Sequence, residues 1–389
     1  MDIMGSSGRL GDYPMMRDAS GTSWQPDSAL MAGVHGQLRS WSTMLHGYLY
    51  AVADHQGGPR GARGNFSESM LMAAAQRNVG DSRLSLKAML SLDPLMGKSG
   101  YPLLLQTGES ADGVTPLVDR QHPHDLLMEL SLTVSRPWSE RASAFVYAGY
   151  PGEPALGPPA FMHRYSSAAN PEAPISHHWL DSTHTSFGVF TGGLVLGNWK
   201  AEASAFNGRE PDPFRWNFDP LRIDSWSGRL SWNPLTSLSL QLSYGSIHAP
   251  EALEPDVNIR RYTVSAVVDR SLPPGHLQVT MAWGQNRAAP GQTSEAWLLE
   301  TMLGHAHHHY FARVESAGKN ELIASGPLHG QLFNVAKLSA GYLYEFRVAR
   351  HLNLGCGALI SGYELPAELH AEYGSHPISY LLFMRLGLQ

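Results

Sequence analysis

The stretch Arg83-Leu84-Ser85-Leu86-Lys87-Ala88-Met89-Leu90-Ser91-Leu92-Asp93 alternates apolar and polar side chains over eleven residues. Leu84, Leu86, Ala88, Leu90 and Leu92 fall on one face, and Arg83, Ser85, Lys87, Ser91 and Asp93 on the other. A period of two is the signature of a strand with one apolar and one polar side. The turn Gly80-Asp81-Ser82 precedes it. Before that turn, Leu71, Ala73 and Ala75 oppose Glu68, Met70, Met72 and Gln76. Earlier still, Leu45, Leu49, Ala51 and Ala53 oppose His46, Tyr48, Tyr50 and Asp54.

The same pattern recurs near 124–135, 141–149, 184–195, 198–208, 223–233, 237–247, 258–269, 276–285, 295–303, 308–316, 332–346, 351–362 and 378–388. With the first three stretches this predicts roughly 16 strands, within about 14 to 18, each close to the length that crosses a bilayer at a tilt. Short turns are expected near 79–82, 136–140, 196–198, 234–236, 271–275 and 347–350. Long segments occupy 93–122, 150–183, 209–222, 248–257, 286–294, 317–331 and 363–377. Short connections at one end and long loops at the other are the habit of outer-membrane barrels, and a soluble sandwich gives no reason for them. The expected fold is therefore all-β: an antiparallel transmembrane β-barrel over residues 33–389. The last strand would close it, with Tyr380, Leu382, Met384, Leu386 and Leu388 toward lipid and Arg385 toward the lumen.

Composition agrees. Charged residues are 16% of the chain, against about 25% in ordinary soluble domains. Aromatics are 10%, with 39 Gly and 26 Pro for turns. No run of about 18 apolar residues offers a transmembrane helix. The 28 Lys+Arg against 34 Asp+Glu exclude the strongly basic surface that nucleic acid needs. The single cysteine, Cys356, excludes an internal disulfide and a thiolate metal site. Residues 1–32 carry Met1, Met4, Met15, Met16 and Met31 among Gly, Ser, Asp and Pro, and read as a flexible tail or a plug segment. The first residues do not form a signal peptide; the expectation is a bacterial outer-membrane protein from which that peptide has been removed. The lipid bilayer is then its first partner.

With apolar faces outward, the lumen would collect Glu68, Arg83, Lys87, Glu129, Lys200, Glu202, Arg229, Glu300, Arg313, Glu315, Lys337 and Arg385. Such charges brace a polar lumen by pairing, or line a selective, water-filled, porin-like pore. The 19 histidines gather in the long segments: His122-Pro123-His124-Asp125, His163, and His177-His178 followed by His184. Imidazoles with a carboxylate are the common ligands of zinc and copper. The candidate metal residues are thus His122, His124, Asp125, His163, His177, His178 and His184; the bland alternative is that they fasten the loops. On a strand, His122 and His124 would share a face about 7 Å apart. The run His305, His307, His308 and His309 sits at a strand edge and reads as incidental. Met70, Met72, Met89 and Met128 can offer thioethers to copper(I) or simply fill apolar space.

An outer-membrane hydrolase is the rival class, with Asp181, Ser182 and His184 or the pair His124–Asp125 at the rim. Adjacent residues on a strand point apart, which disfavours His124 with Asp125. There is no Gly-x-Ser-x-Gly elbow. A structural or adhesive barrel is a further alternative.

Several pieces carry a resemblance. They are Gly21-Thr22-Ser23-Trp24-Gln25-Pro26-Asp27, Asp54-His55-Gln56-Gly57-Gly58-Pro59-Arg60, Leu103-Leu104-Leu105-Gln106-Thr107-Gly108-Glu109 and Asp119-Arg120-Gln121-His122-Pro123-His124-Asp125. Gly152-Glu153-Pro154-Ala155-Leu156-Gly157-Pro158, the run Ser176 to His184, and Phe206-Asn207-Gly208-Arg209-Glu210-Pro211-Asp212 extend them over most of the chain. In these the sequence resembles an uncharacterised family of bacterial outer-membrane barrels associated with heavy-metal, especially copper, resistance. The resemblance implies a barrel and its location, with copper or zinc as a candidate bound ion, and brings no ligand set. Members often carry a Met/His-rich N-terminal segment; here no His precedes His35.

Overall fold

The computed structural model describes residues 7–30, 33–273 and 275–388. Its strands are β1 (Val34–Leu38), β2 (Trp41–His55), β3 (Arg63–Val79), β4 (Ser82–Leu90), β5 (Tyr101–Ser110), β6 (Pro116–Gln121), β7 (Leu127–Ser139), β8 (Ala142–Gly149), β9 (Val189–Leu196) and β10 (Trp199–Phe206). They continue as β11 (Ser225–Leu235), β12 (Leu238–Ile247), β13 (Asn258–Leu272), β14 (Gly275–Ala289), β15 (Thr293–His305), β16 (His308–Lys319), β17 (Phe333–Ala349), β18 (Leu352–Glu364) and β19 (Ile378–Leu388). A short helix, α1 (His177–Leu180), lies in the loop before β9.

Sixteen strands close an antiparallel barrel. Each wall strand pairs with its neighbour in sequence, except that β4 passes to β7 because the hairpin β5–β6 belongs to a loop. Closure comes from β19 on β2, in register from Tyr380↔His55 to Leu388↔Gly47. β1 takes the same edge of β2 just beyond that point, from Val34↔Leu45 to Leu38↔Trp41. The alternation sets the faces. On β19, Tyr380, Leu382 and Met384 are 49%, 59% and 48% exposed, while Leu381 and Phe383 are 1% and 4%. An apolar band made of every second side chain is the outward face that membrane-spanning barrels turn to lipid. Two aromatic rows mark opposite ends of it. Trp226, Tyr244 and Tyr262 follow one another at 5.2 and 5.0 Å near the long loops. Trp199 stacks on Trp232 at 4.7 Å near the short turns.

Inside, opposite charges face each other across strand pairs, as Glu202↔Arg229 and Glu300↔Arg313 do by register. Direct cross-strand pairs of this kind support the sheet as well as the lumen.

The strands stop where the long loops turn inward, and there the sequence pattern misleads. β4 ends at Leu90 rather than running to 93, since Asp93 precedes Pro94 in a helical turn. β7 begins at Leu127, because residues 122–125 around Pro123 are irregular; Pro lacks the N–H a ladder needs. β9 begins at Val189, because Ser182–His184 forms a 3-10 turn. The tight turn between His305 and His308 and the loop after β2 add two connections that the pattern did not mark.

Candidate functional site

Three pieces of chain occupy the lumen. Residues 7–30 lie toward the short turns. Arg83 donates to the Gly8 carbonyl, Ser135 to Arg9 at 2.7 Å, Ser143 to Leu10 at 2.6 Å and Lys200 to Thr22. Arg17 and Asp27 form a two-pronged pair at 2.6 and 2.8 Å. Met1, Met4 and Met31 lie outside the described residues, and Met15 begins a 3-10 turn.

The loop before β9 crosses the lumen. Arg164 reaches Glu300 at 2.5 Å, Ser166 reaches Thr280 at 2.7 Å, Glu172 accepts from Lys337 at 2.7 Å, and Ser176 donates to Glu315 at 2.8 Å. The hairpin β5–β6 is the third piece, and every residue of β5 is buried.

The twelve charged residues assigned to the lumen all have inward side chains. Lys87 pairs with Glu129 at 3.0 Å. Glu202 accepts from Lys200 at 2.8 Å and from Arg229 at 2.9 Å. Arg313 takes Glu300 at 3.1 Å, Arg385 takes Glu345, and Glu68 is buried beside the wall. Met70, Met72, Met89 and Met128 pack in an apolar cluster with Phe66, Tyr101 and Phe161. That environment is side-chain filling.

At the long-loop end five imidazoles form a row. His124 lies 5.3 Å from His184, His184 5.2 Å from His177, His177 5.6 Å from His178, and His178 6.2 Å from His122, ring centre to ring centre. Carboxylates flank it on both sides. Asp93 holds His124 at 2.9 Å, Asp181 holds His177 at 2.8 Å, and Glu109 holds His122 at 3.2 Å. Glu251 and Glu210 face His178 at 3.5 and 3.7 Å. Phe161 packs across the row, 5.6 Å from His177 and 6.1 Å from His184.

Five of the seven residues singled out as metal ligands therefore form the row, with Asp125 at its edge. The seventh, His163, lies elsewhere, beside a cavity of about 720 Å³ with His46, Met72 and Met162. His122 and His124 are not strand neighbours sharing a face; each takes a different carboxylate. Asp125 turns away to Arg215 at 3.3 Å.

Burial sets the protonation of the row. It lowers His177 to about 4 against the pull of Asp181, and His184 to about 3 with His177 adding to the effect. His122 also falls well below its ordinary value, through burial and then Arg215. These rings are neutral near pH 7 and keep a lone pair. Against its own burial, Arg164 and His177 keep Asp181 below the usual carboxylate range. Burial raises Glu109 to about 8 and Asp125 to about 6, each opposed by Arg215.

The relay expected of Asp181, Ser182 and His184 is not assembled. The Asp181 carboxylate serves Arg164 and His177, while His184 meets only the Asp181 backbone carbonyl, at 2.8 Å. The Ser182 hydroxyl accepts from Arg261 at 3.0 Å. Glu109, Glu210, Glu251 and Asp93 were not foreseen. Glu109 lies on β5, Asp93 begins a helical turn, and Glu210 and Glu251 are in loops; no spacing marks any of them.

The 305–309 run is at the opposite end. His307 contacts the Glu345 carbonyl at 2.8 Å, His308 the Tyr342 hydroxyl at 2.7 Å, and His309 the Glu345 carboxylate at 3.1 Å.

No family model matches this sequence, and no curated protein matches it. Solved structures do. The chain is similar to OprB of Pseudomonas putida at TM-score 0.55 and 10% identity, over 90% of this chain and 94% of that one. It is similar to OmpF of Salmonella typhi at TM-score 0.54 and 9% identity, over 91% and 100%. An anion-selective porin from Comamonas acidovorans aligns at TM-score 0.50 and 9% identity, over 90% and 100%. At such identities the likeness is one of fold: the chain has the barrel architecture of outer-membrane porins.

Proposed function

We propose that this chain is a porin-like barrel of a bacterial outer membrane that passes or binds small polar solutes or metal ions, with its lumen narrowed by residues 7–30 and by two inward loops. In this reading the N-terminal region, whose described part is residues 7–30, serves as a plug segment rather than a flexible tail, and the barrel follows it. The observation that carries it is the row of five imidazoles, edged by carboxylates, across the long-loop mouth of a polar lumen. Imidazole nitrogens and carboxyl oxygens in one row offer acceptors that favour cations and hydrogen-bonding solutes over anions. Copper and zinc suit such donors, which agrees with the resemblance to a family associated with copper resistance. The apolar outer face and its two aromatic rows support the membrane location.

Liposome swelling with small sugars and reversal potentials in planar bilayers test the reading. Uptake and conductance are expected, with selectivity shifted by Glu129→Gln and, in the opposite sense, by Arg229→Gln. Absence of both uptake and conductance would overturn it.

A further inference from the structure

Three loops that are far apart in sequence meet at one point of the mouth. α1 brings His178, the loop after β10 brings Glu210, and the loop after β12 brings Glu251. One ligand atom from each lies within 4.8 Å of the others. The imidazole Nδ1 is 3.5 Å from Glu251 and 3.7 Å from Glu210. Those separations are too long for good hydrogen bonds. The first matches the edge of a tetrahedron whose bonds are about 2.0–2.2 Å, which is about 3.3–3.6 Å, and the second is slightly longer.

Further features favour a built site. Glu210 is 8% exposed, and its Oε2 is buried without a hydrogen-bond partner. The backbone of β5 closes over the ring at Gly108: a Cβ there would sit 2.3 Å from His178 Cε1, and its φ of +109° belongs to glycine. The same strand donates the Glu109 N–H to Glu251 Oε2 at 3.2 Å, which orients that carboxylate. The loops are also tied directly, since the Glu210 N–H donates to the Pro250 carbonyl at 3.0 Å. The Arg261 guanidinium, whose charge acts on both carboxylates, donates its hydrogen bonds to Ser182 at 3.0 Å and to Asn286 at 2.9 Å.

We propose that His178, Glu210 and Glu251 form a binding site for a zinc-class divalent cation that fastens three mouth loops together. One nitrogen and two carboxylate oxygens suit zinc, cobalt(II) or nickel(II) better than the soft copper(I). Three protein ligands leave a fourth position for water or for a solute entering the mouth. Glu251 is the most open of the three, 17% exposed, and gives the ion its way in. The inference deepens the reading above by naming the ion. Ion binding and conductance are separate measurements, so a barrel that conducts without binding zinc overturns the site alone.

The full chain, purified in detergent and stripped with chelator, would be titrated with Zn²⁺ against a chromophoric competitor. One tight equivalent is expected. Outer-shell changes alone weaken a metal site about 10–100-fold, so His178→Ala, Glu210→Gln and Glu251→Gln should each weaken it at least as much. His308→Ala, at the far end of the barrel, should not. Co²⁺ in place of Zn²⁺ should give the strong visible absorption of a tetrahedral centre, lost in Glu251→Gln. That variant replaces the most exposed ligand, and a strand-rich circular dichroism spectrum checks its fold. Zinc should also protect the loop at 248–257 from protease in the parent and not in the variants. The proposal is overturned by no tight equivalent, by one that survives all three substitutions, or by an adventitious ion only, removed by His308→Ala.

Discussion

The two halves of the lumen handle charge differently. Toward the short turns, cations and anions match within the chain: Arg17 with Asp27 at 2.6 Å, Lys87 with Glu129 at 3.0 Å, and Lys200 and Arg229 both on Glu202. Spare donors from the wall go to carbonyls of residues 7–30. Toward the long loops, acids outnumber their partners. Glu109 and Asp125 share Arg215, and Glu210 and Glu251 share one imidazole and the more distant charge of Arg261. A region whose charges are matched is a brace. A region with buried carboxylates in excess is completed by a proton or by a cation from outside.

The contrast can be broken by the same substitution made in each half. Glu202→Gln leaves Lys200 and Arg229 buried without their anion and should cost about 3–5 kcal/mol in urea unfolding. In metal-free protein Glu210→Gln should cost nothing measurable, or stabilise, because it relieves repulsion from Glu251. Equal losses at the two sites would erase the distinction.

A smaller effect follows from pH. His184 is lowered in the folded chain to about 3, against about 6.5 when unfolded. Below pH 6.5 the unfolded state therefore binds the proton more readily. The stability this ring contributes is whole above about 6.5 and declines as pH falls toward 3. In metal-free protein, amide exchange in the loop at 150–188 should rise over that range, and His184→Gln should flatten the rise. The β11–β12 pairing should show no such dependence. Smallest of all, Asp81→Ala removes an exposed pair with Arg136 at 3.7 Å and should change stability by under about 1 kcal/mol.

Much of the wall was legible because its physics is local. Leu84, Leu86 and Ala88 declare their face by spacing alone, and register follows from short turns such as that between Val79 and Ser82. The mouth was half legible. His122, His124, His177, His178 and His184 stand out by residue type, yet their grouping depends on loop paths fixed by distant contacts such as Arg164 to Glu300, 136 residues apart. Glu210 and Glu251 carried no signal, since an isolated acid in a loop looks like any solvated one. The errors also clustered there. The alternation at 124–135 and 184–195 runs into residues that the structure bends inward, and a two-residue period cannot show where a ladder stops.

The central claim, an outer-membrane pore narrowed from within by its own N-terminal segment, is tested most directly by single-channel recording in planar bilayers, comparing the full chain with one lacking residues 1–30. The account predicts small currents for the full chain and a larger conductance after truncation, because a 16-stranded wall is wide enough for water and then keeps the two inward loops but loses the segment at its short-turn end. Identical conductance in the two, or none in either, would contradict it.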